Sequence, residues 1–527
     1  MQRIYYNAKI YCGAGQFASA LFVREDRVAA VGRPEDFAAV AARRIDLGGK
    51  FVLPGLNDSH LHLLDTGREL SAVNLYGAAT PGELAVRCKA YLARQNIPAG
   101  QTLLGNGWNQ DKFAPGERRL PTKADLDGAA PQNPLVLYRV CGHIAVCNAA
   151  ALRAAGITPN TPCPAGGGLD FAAGLLQDNA LALLDGILPG DSVESCTTAY
   201  LAATARAAAR GITSAQSCDV DGENGAAVLG ALQGLDAAGL LPLRISLQCA
   251  LPDVPSLERF LATAPPQGKR WQIGALKLFS DGALGARNAW LGSDYADDPG
   301  NRGLCCLPFA QALAMTRAAN AHGLQTVAHA IGDAAIAQML AVYKAADASG
   351  RNPCRNGIIH CQVMREAQWD DFKQSNILAL VQPIFLDYDH TIAAARCGQA
   401  LADSSYSFGT ALQKGVPVSY GTDAPVEDLN PFPNLYCAIT RKALDGTPPG
   451  GWHPAQRVSR AQALACYTTA AAHAQFAEGE KGLLAPGYLA DFIVIDRDYF
   501  TVPEEELPHI QVLQTIVGGR QVYAGPV

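Results

Sequence analysis

Residues 53–64 read LPGLNDSHLHLL, and this stretch decides how the rest of the chain is interpreted. His60 and His62 follow the apolar run 51–56, which predicts a strand. Side chains two residues apart on a strand point to the same side, so the two imidazoles are placed to bind one metal ion. Two surface histidines in a loop would give the same pattern, so other segments of the chain are needed to distinguish a metal site from a surface loop.

Three further segments place a metal-ligating residue at the end of an apolar run. In TVAHAIGD (326–333) His329 ends the run 325–328, and in GIIHCQ (357–362) His360 ends the run 357–359. In VPVSYGTDAP (416–425) Asp423 follows its run by three residues. One histidine on a strand is usually a core residue, but four of the chain's 10 histidines at equivalent positions predict a metal site.

The middle of the chain alternates short apolar runs with helical patterns. Candidate strands lie at 51–56, 212–216, 243–248, 275–279, 325–328, 357–359, 378–381 and 416–420. Repeated strand–helix units favour a parallel sheet, and eight of them predict an α/β fold, a closed (β/α)₈ TIM barrel. A doubly wound open sheet is the alternative, but no GxGxxG follows the first strand.

Three regions are expected. Strand-like segments at both ends predict a small β-sandwich domain built from residues 1–51 and 480–527, because neither end alone has enough sheet to be stable. Residues 52–479 would form the metal-binding barrel. A large insertion at 63–205 would lie in the first strand–helix connection, on the face where barrel active sites lie, so it is a candidate lid or pocket wall.

Lys277 lies inside the apolar strand of GALKLFSDG (274–282). A buried lysine is costly unless its charge is removed or paired. A neutral amine could react with CO₂ to give a carbamate that bridges two metal ions. Pairing with Asp281 or another acid is the alternative, and the chemistry alone favours neither.

Composition excludes several classes of function. The 527 residues carry a formal charge of −6, with 49% hydrophobic and 17% charged residues. These values predict an ordered protein and give no support for a nucleic-acid or membrane partner. The 15 scattered cysteines predict reduced thiols, and the N-terminus shows no signal-peptide pattern, so a cytoplasmic location is expected.

Three residues are weaker candidates for the pocket. His143, in the insertion, is a candidate catalytic group that would stabilise an oxyanion, and a structural loop histidine is the alternative. Trp108 is a candidate pocket wall, with core packing as the alternative. Arg287 is a candidate partner of a substrate carboxylate or amide oxygen, with a structural salt bridge as the alternative.

The chain resembles the metal-dependent amidohydrolase superfamily, and within it amidohydrolase family 3, the branch similar to N-substituted formamide deformylase. The supporting segments are GNGWNQDKF, CGHIAVCNAAAL, GLLQD, ALKLFSDGALGARNAWL, VAHAIGDAAI, TDAPV, YTTAAAHAQF and GLLAPGYLADFIVID. The resemblance covers nearly the whole chain. It departs from the branch at His360-Cys361-Gln362 and at Gln177-Asp178, which bears on fine substrate specificity and not on the metal site.

The resemblance implies a site and a reaction. It assigns His60 and His62 to barrel strand 1, an often carboxylated Lys277 to strand 4, His329 and His360 to strands 5 and 6, and Asp423 to strand 8. We expect zinc, with one ion or with two if Lys277 is carboxylated. Asp423 would be both a metal ligand and the general base and acid for a metal-activated water.

The expected reaction is hydrolysis of a non-peptide C–N bond, of the amide or formamide type, in a small-molecule substrate. A metal-dependent esterase or other hydrolase on the same scaffold is the alternative, since a fold does not fix its substrate. A catalytically inactive binding protein would have lost ligands, and every expected ligand type is present. Many relatives are dimers, so a homodimer is also expected, although no residue pattern in this chain encodes one.

Overall fold

The computed structural model describes residues 2–95, 97–139, 143–164 and 166–525. The chain divides into two compact units. The first, the barrel unit, comprises Met1–Leu63 and Ala203–Val527, and the second, the inserted unit, comprises Leu64–Ala202. Strands and helices are numbered below in chain order.

Eight parallel strands form the central sheet of the barrel unit, and each pairs with the next along the sheet. They are β5 (Leu56–Leu61), β12 (Ile212–Asp221), β13 (Arg244–Ala250), β14 (Trp271–Phe279), β15 (Gln325–Ala330), β16 (Gly357–His360), β17 (Leu378–Val381) and β18 (Val418–Tyr420). Every residue of β5, β16, β17 and β18 is buried. Strands buried on both faces have continuous apolar runs, which is why these segments stood out in the sequence.

The first and last strands approach each other and nearly close the barrel. The backbone N–H of Asp423 donates to the carbonyl of His60 at 2.9 Å, and the N–H of His62 donates to the carbonyl of Ala424 at 2.8 Å. A Cβ atom at Gly421 would lie 2.6 Å from the backbone N and O of His60. Glycine is therefore required where the two strands meet. The predicted α/β barrel is confirmed.

The predicted bounds of the first barrel strand were wrong. Residues 51–56 are not one strand: β4 (Arg43–Pro54) ends at Pro54, and β5 begins at Leu56. Gly55 lies between them, and a Cβ atom there would come within 2.2 Å of Thr213. A continuous apolar run therefore passes through two sheets, and periodicity alone cannot show where the chain leaves one for the other.

Both termini contribute to a seven-stranded sheet. Its strands are β1 (Gln2–Gly13), β2 (Gln16–Arg24), β3 (Arg27–Gly32), β4, β19 (Phe492–Ile495), β20 (Val512–Val517) and β21 (Arg520–Ala524). The two ends of the chain join where β4 pairs antiparallel with β19, with Phe492 opposite Pro54. Side chains of β1 pack into two hydrophobic clusters, with Tyr5 and Ile10 in one and Ile4 in another.

The inserted unit has its own six-stranded sheet and hydrophobic core. Its strands are β6 (Val73–Asn74), β7 (Leu103–Trp108), β8 (Leu135–Arg139), β9 (Ile144–Cys147), β10 (Gly167–Asp170) and β11 (Leu175–Asp178). Its role as a lid or pocket wall stays a prediction.

The helices complete both units. In chain order they are α1 (Leu63–Leu70), α2 (Pro81–Gln95), α3 (Lys123–Leu126), α4 (Ala149–Ala154), α5 (Val193–Ala209), α6 (Gly225–Ala237), α7 (Val254–Thr263), α8 (Phe309–Ala321), α9 (Asp333–Ala346), α10 (Gln368–Gln374), α11 (Leu386–Asp389), α12 (Ala393–Cys397), α13 (Gln399–Ala402), α14 (Phe408–Gln413), α15 (Pro431–Thr440), α16 (Arg460–Tyr467) and α17 (Thr469–Ala474). Within the described residues, no helix has both the length and the apolar character needed to span a lipid bilayer.

Candidate metal centre

Histidine and aspartate side chains converge at the carboxyl ends of the barrel strands. His60 is the fifth residue of β5, His329 is the fifth residue of β15, and His360 ends β16. Asp423 lies three residues beyond β18. Carboxyl ends of parallel strands meet on one face of a barrel, so these side chains come together although they are far apart in sequence.

Three of these side chains form a compact set of donors. One ligand atom each from His60, His360 and Asp423 lies within 4.8 Å of the others, and all three residues are buried. The rings of His60 and His62 are 5.2 Å apart between centroids, and those of His329 and His360 are 4.6 Å apart. The structure therefore places all the predicted histidine ligands in one cluster.

A buried oxygen of Asp423 lacks a hydrogen bond, and this tests whether the cluster fits a metal ion. Oδ1 of Asp423 lies 3.2 Å from Nε2 of His60 and 3.4 Å from Nε2 of His62, but no donor reaches it with hydrogen-bond geometry. A buried carboxylate oxygen without a donor is costly. A cation held by imidazole nitrogens and a carboxylate removes that cost, so the residues fit a divalent metal.

The protonation states of the cluster are those that metal binding requires. Burial lowers the pKa of His60 to about 4 and that of His329 to about 3, and it holds the pKa of His360 well below its ordinary value. Burial by itself would raise the pKa of Asp423, but the imidazoles of His60 and His62 hold it well below its usual range. Neutral imidazoles and an ionised carboxylate are the forms that bind metals.

His62 differs from the other histidines. Burial opposes its charge, but the nearby Asp423 carboxylate, 3.4 Å away, and the carbonyl of Cys218 raise its pKa to about 10. Without a metal, His62 therefore carries a proton beside the Asp423 carboxylate. Since a ligating imidazole must be neutral, metal binding at His62 releases that proton.

Residues of other barrel strands fix the orientation of three of the rings. Nδ1 of His60 lies 2.6 Å from Oε1 of Gln248 on β13, and Nδ1 of His360 lies 2.9 Å from Oε1 of Gln382, just beyond β17. Nδ1 of His62 lies 2.9 Å from the carbonyl oxygen of Cys218 on β12. An acceptor at Nδ1 keeps the proton there and leaves the lone pair of Nε2 for a metal.

Sequence reasoning missed these supporting residues. Gln248 and Gln382 are only 2% and 1% exposed, at or just beyond the ends of apolar strands. A buried glutamine needs partners for its amide, so an isolated glutamine at a strand end was the available signal. Gln248 and Gln382 lie on or just beyond strands that supply no candidate ligand, and each orients a histidine of another strand.

His329 is held by a different partner. Its Nε2 lies 3.3 Å from the carbonyl oxygen of Gly282 and 3.4 Å from Oδ1 of Asp281. The Asp281 carboxylate accepts backbone N–H groups from Trp290, Ile331 and Gly332 at 2.8 to 3.0 Å. These bonds connect the ends of β14 and β15 and fix the His329 ring.

Lys277 lies in the cluster. Its side chain is 1% exposed, and Nζ is 3.2 Å from Nε2 of His60. Burial lowers its pKa. Across the residues that the structure describes, no carboxylate forms an ion pair with Lys277, and Asp281, the partner considered from the sequence, instead binds backbone N–H groups and His329.

The backbone is strained at two ligands. His360 has φ of 80° and Asp423 has φ of 58°, a left-handed conformation that residues other than glycine rarely adopt. Such strain persists only where the surrounding structure enforces it, and it is concentrated at functional sites. At Asp423 the strained turn follows directly from the close approach of β18 to β5.

The three weaker candidates have other surroundings in the structure. Trp108 is 0% exposed in the core of the inserted unit, and its indole N–H donates to the carbonyl of Leu137 at 2.7 Å. A side chain without accessible surface cannot touch a substrate in this conformation, so we assign Trp108 to core packing instead of a pocket wall.

Arg287 and His143 both form ion pairs. The guanidinium of Arg287 binds both carboxylate oxygens of Asp297, at 3.1 and 2.9 Å, which is the structural salt bridge considered as its alternative. The exposed His143 ring lies 3.2 Å from Asp178 within the inserted unit. Neither arrangement supplies a contact to a substrate, and the catalytic role of His143 stays a prediction.

The cluster opens into a cavity of about 400 Å³ in the barrel unit. The ligand histidines, Lys277 and Asp423 form one part of its lining, and further lining residues include Phe279, Phe385, Tyr388, Asp389 and Glu427. This volume lies within the range of ~300–1,000 Å³ that is typical of small-molecule sites.

Comparison with known proteins gives a consistent result. The model of the amidohydrolase family matches residues 43–523. The amidohydrolase YtcJ of Bacillus subtilis (strain 168) is 30% identical over 99% of both chains. N-substituted formamide deformylase of Arthrobacter pascens is 25% identical over 95% of this chain and 94% of its own.

A solved structure agrees in fold. The crystal structure of a metal-dependent hydrolase from Pyrococcus furiosus superimposes with a TM-score of 0.80 at 29% identity, covering 95% of this chain and 100% of that one.

Proposed function

Because this chain belongs to the amidohydrolase family and is a metal-dependent hydrolase, we propose that it hydrolyses a non-peptide C–N bond, of the amide or formamide type, in a small molecule. The observation that carries the proposal is the cluster of His60, His360 and Asp423, with an unsatisfied buried oxygen, at the end of a cavity of about 400 Å³. The likeness to N-substituted formamide deformylase supports the choice of bond.

We propose zinc as the metal, held by His60, His62, His329, His360 and Asp423. Imidazole and carboxylate ligands suit zinc, and a bound zinc ion would supply a Lewis acid and lower the pKa of a water to about 7. Gln248 and Gln382 would keep the rings of His60 and His360 in the orientation that this requires.

Lys277 determines whether one or two ions bind. Its Nζ is buried beside His60 without a carboxylate partner among the described residues, and its lowered pKa favours the neutral amine that reacts with CO₂. In that reaction the amine nitrogen forms a bond to the carbon of CO₂ and loses a proton. The carbamate that results is an anionic ligand for two ions.

Asp423 is the proposed general base and acid. Its carboxylate is ionised, since its pKa is held well below the usual range, and it is positioned by backbone contacts to β5. It would accept the proton of the attacking water and deliver it to the leaving nitrogen, which departs poorly as an unprotonated amide anion.

A paired substrate panel tests the proposal. The zinc-loaded protein would be assayed with matched pairs of an amide and an ester that have the same acyl group and the same substituent on the leaving nitrogen or oxygen, including formamides paired with formate esters. We expect amine release from at least one amide or formamide in each acyl series. Hydrolysis of the esters alone would assign the site to an esterase and contradict the proposed bond class.

A further inference from the structure

We infer that the substrate carries a positive charge, and that Asp389 and Glu427 recognise it together with the aromatic side chains of Phe279, Phe385 and Tyr388. We call these five residues the acidic-aromatic wall. The inference rests on the proposed function because it names the substrate class: amides bearing an ammonium or guanidinium group away from the scissile bond.

Carboxylates outnumber lysine and arginine in the cavity lining. Three carboxylates line it, from Asp389, Asp423 and Glu427, and Lys277 is the only lysine or arginine in the described lining. Asp423 belongs to the metal cluster, and Lys277 lies against His60. Asp389 and Glu427 are therefore not part of the metal cluster.

Neither carboxylate has a cationic partner. Two other carboxylates of the barrel unit do pair with arginine: Asp491 lies 2.8 Å from Arg244, and Asp333 lies 2.8 Å from Arg365. In the described part of the chain, no lysine or arginine pairs with Asp389 or Glu427. Asp389 accepts hydrogen bonds from Tyr406 and Gln362, which position it without neutralising its charge.

The two carboxylates lie close enough to affect each other. Burial and the charges of Asp387, Asp389, Asp423 and Asp428 raise the pKa of Glu427 to about 7. Burial likewise raises the pKa of Asp389. A cation placed between them would relieve both the repulsion and the loss of solvation.

The aromatic residues suit the same ligand. Phe279 and Tyr388 line the cavity and are 45% and 63% exposed, so their rings are accessible to a ligand. The face of an aromatic ring attracts cations. Nζ of Lys277 lies 4.9 Å from the centre of the Phe279 ring, which shows that a nitrogen group can reach this ring face.

The same cavity contains the reactive groups. The unpartnered Oδ1 of Asp423, in a residue that is 5% exposed, belongs to the same lining. A substrate of matching size can therefore place its amide at the metal cluster and its cationic group at the acidic-aromatic wall. Charge complementarity of this kind supplies specificity more than raw affinity.

Binding of a matched ligand pair tests the inference independently of catalysis. Calorimetry would compare phenethylammonium with 2-phenylethanol, which has a similar shape but no charge, on the zinc-loaded protein. We expect the ammonium to bind about 10-fold more tightly, since a desolvated cation–aromatic contact and a carboxylate pair each contribute on this scale. Equal affinities, or no binding of the ammonium, would overturn the inference.

Variants test which residues cause the preference for the ammonium over the alcohol. Glu427→Gln should reduce it to about 2-fold, because the remaining carboxylate retains part of the attraction. Glu258→Gln is the matched control: this carboxylate lies outside the cavity lining, 2.8 Å from His322, and its loss should leave the preference intact. A preference that survives Glu427→Gln would show that the amine binds the metal and not the wall, and would overturn the inference.

Two further variants guard against misfolding. Tyr388→Leu keeps apolar bulk on an exposed side chain and should lower the preference by removing the aromatic face. If Glu427→Gln does not fold, Asp389→Asn should reduce the preference in its place, and an unchanged preference there would contradict the inference. If the wild-type protein binds the ammonium but hydrolyses no amide, the proposed reaction is wrong, while the role of the acidic-aromatic wall in cation binding is supported.

Discussion

The backbone N–H of Asp423 donates to the carbonyl of His60 at 2.9 Å, and the side chains of the same two residues approach to 3.2 Å. The contact that brings the last barrel strand to the first is therefore also the contact that assembles the metal cluster. Gly421 allows this approach, because any side chain there would collide with the His60 backbone. Barrel closure and the site thus depend on the same few residues.

The first prediction concerns Asp423. Asp423→Asn keeps the shape of the side chain but removes its ability to accept a proton, so turnover should fall by about 10²–10⁴-fold. The histidines remain, so most of the metal should be retained, which emission spectroscopy on the purified variant would measure. Turnover near the wild-type value at full metal content would exclude Asp423 from proton transfer.

The second prediction concerns the residues that orient the ligands. Gln248→Leu removes the acceptor at Nδ1 of His60 and should weaken metal binding by about 10–100-fold. Gln216→Leu is the matched control, because Gln216 is equally buried on the adjacent strand β12 and bonds the carbonyl of Ala471 instead of a ligand. Competition with a chelator measures both affinities, and equal losses in the two variants would indicate only a general destabilisation.

The third prediction concerns carboxylation of Lys277. The wild-type protein, prepared in ¹³C-bicarbonate, should show a carbamate carbon signal by NMR, and Lys277→Met should abolish the signal and lower the metal content from two ions to one. Lys481→Met is the control, since burial lowers the pKa of Lys481 to about 7 while Nζ donates to Ser214 at 2.9 Å. A signal that persists in Lys277→Met and disappears in Lys481→Met would place the carbamate elsewhere.

The fourth prediction follows from the raised pKa of His62. In the metal-free protein its pKa is about 10, so at pH 8 the folded protein holds a proton that a metal ion must displace. Zinc affinity should therefore rise with pH between about 7 and 9, by up to ~10-fold per pH unit from this proton.

Calorimetry in two buffers of different ionisation enthalpy counts the protons released. The wild-type protein should release about one proton more than His62→Asn. His322 is the control, because its ring lies at the surface, 2.8 Å from Glu258. The His322→Asn variant should release as many protons as the wild type. Equal proton release from all three proteins would mean that His62 is neutral before the metal binds.

The ligands could be predicted from sequence because each follows an apolar run. His329 and His360 end runs that form β15 and β16, and the parallel arrangement then brings strand ends together without any long-range information. His60 lies at the carboxyl end of β5, as expected, although the predicted bounds of its strand were wrong, since that position depends on where the strand ends and not on where it begins.

The supporting residues could not be predicted in the same way. Gln248 and Gln382 carry no motif, and their contacts with His60 and His360 arise only between residues that are far apart in sequence. The same holds for Trp108, whose glycine-flanked segment suggested a pocket but whose indole packs in a core. Pairwise geometry of this kind is fixed by tertiary packing and not by local pattern.

The most direct test of the central claim is amine release during metal titration. Metal-free protein, prepared with a chelator, would be titrated with zinc while amine release from an amide substrate bearing an ammonium group is followed. The account predicts no release without metal, and release that rises in proportion to bound zinc and stops at the stoichiometry of the site. Release that is undiminished in the metal-free protein, or absent at full zinc occupancy, would contradict it.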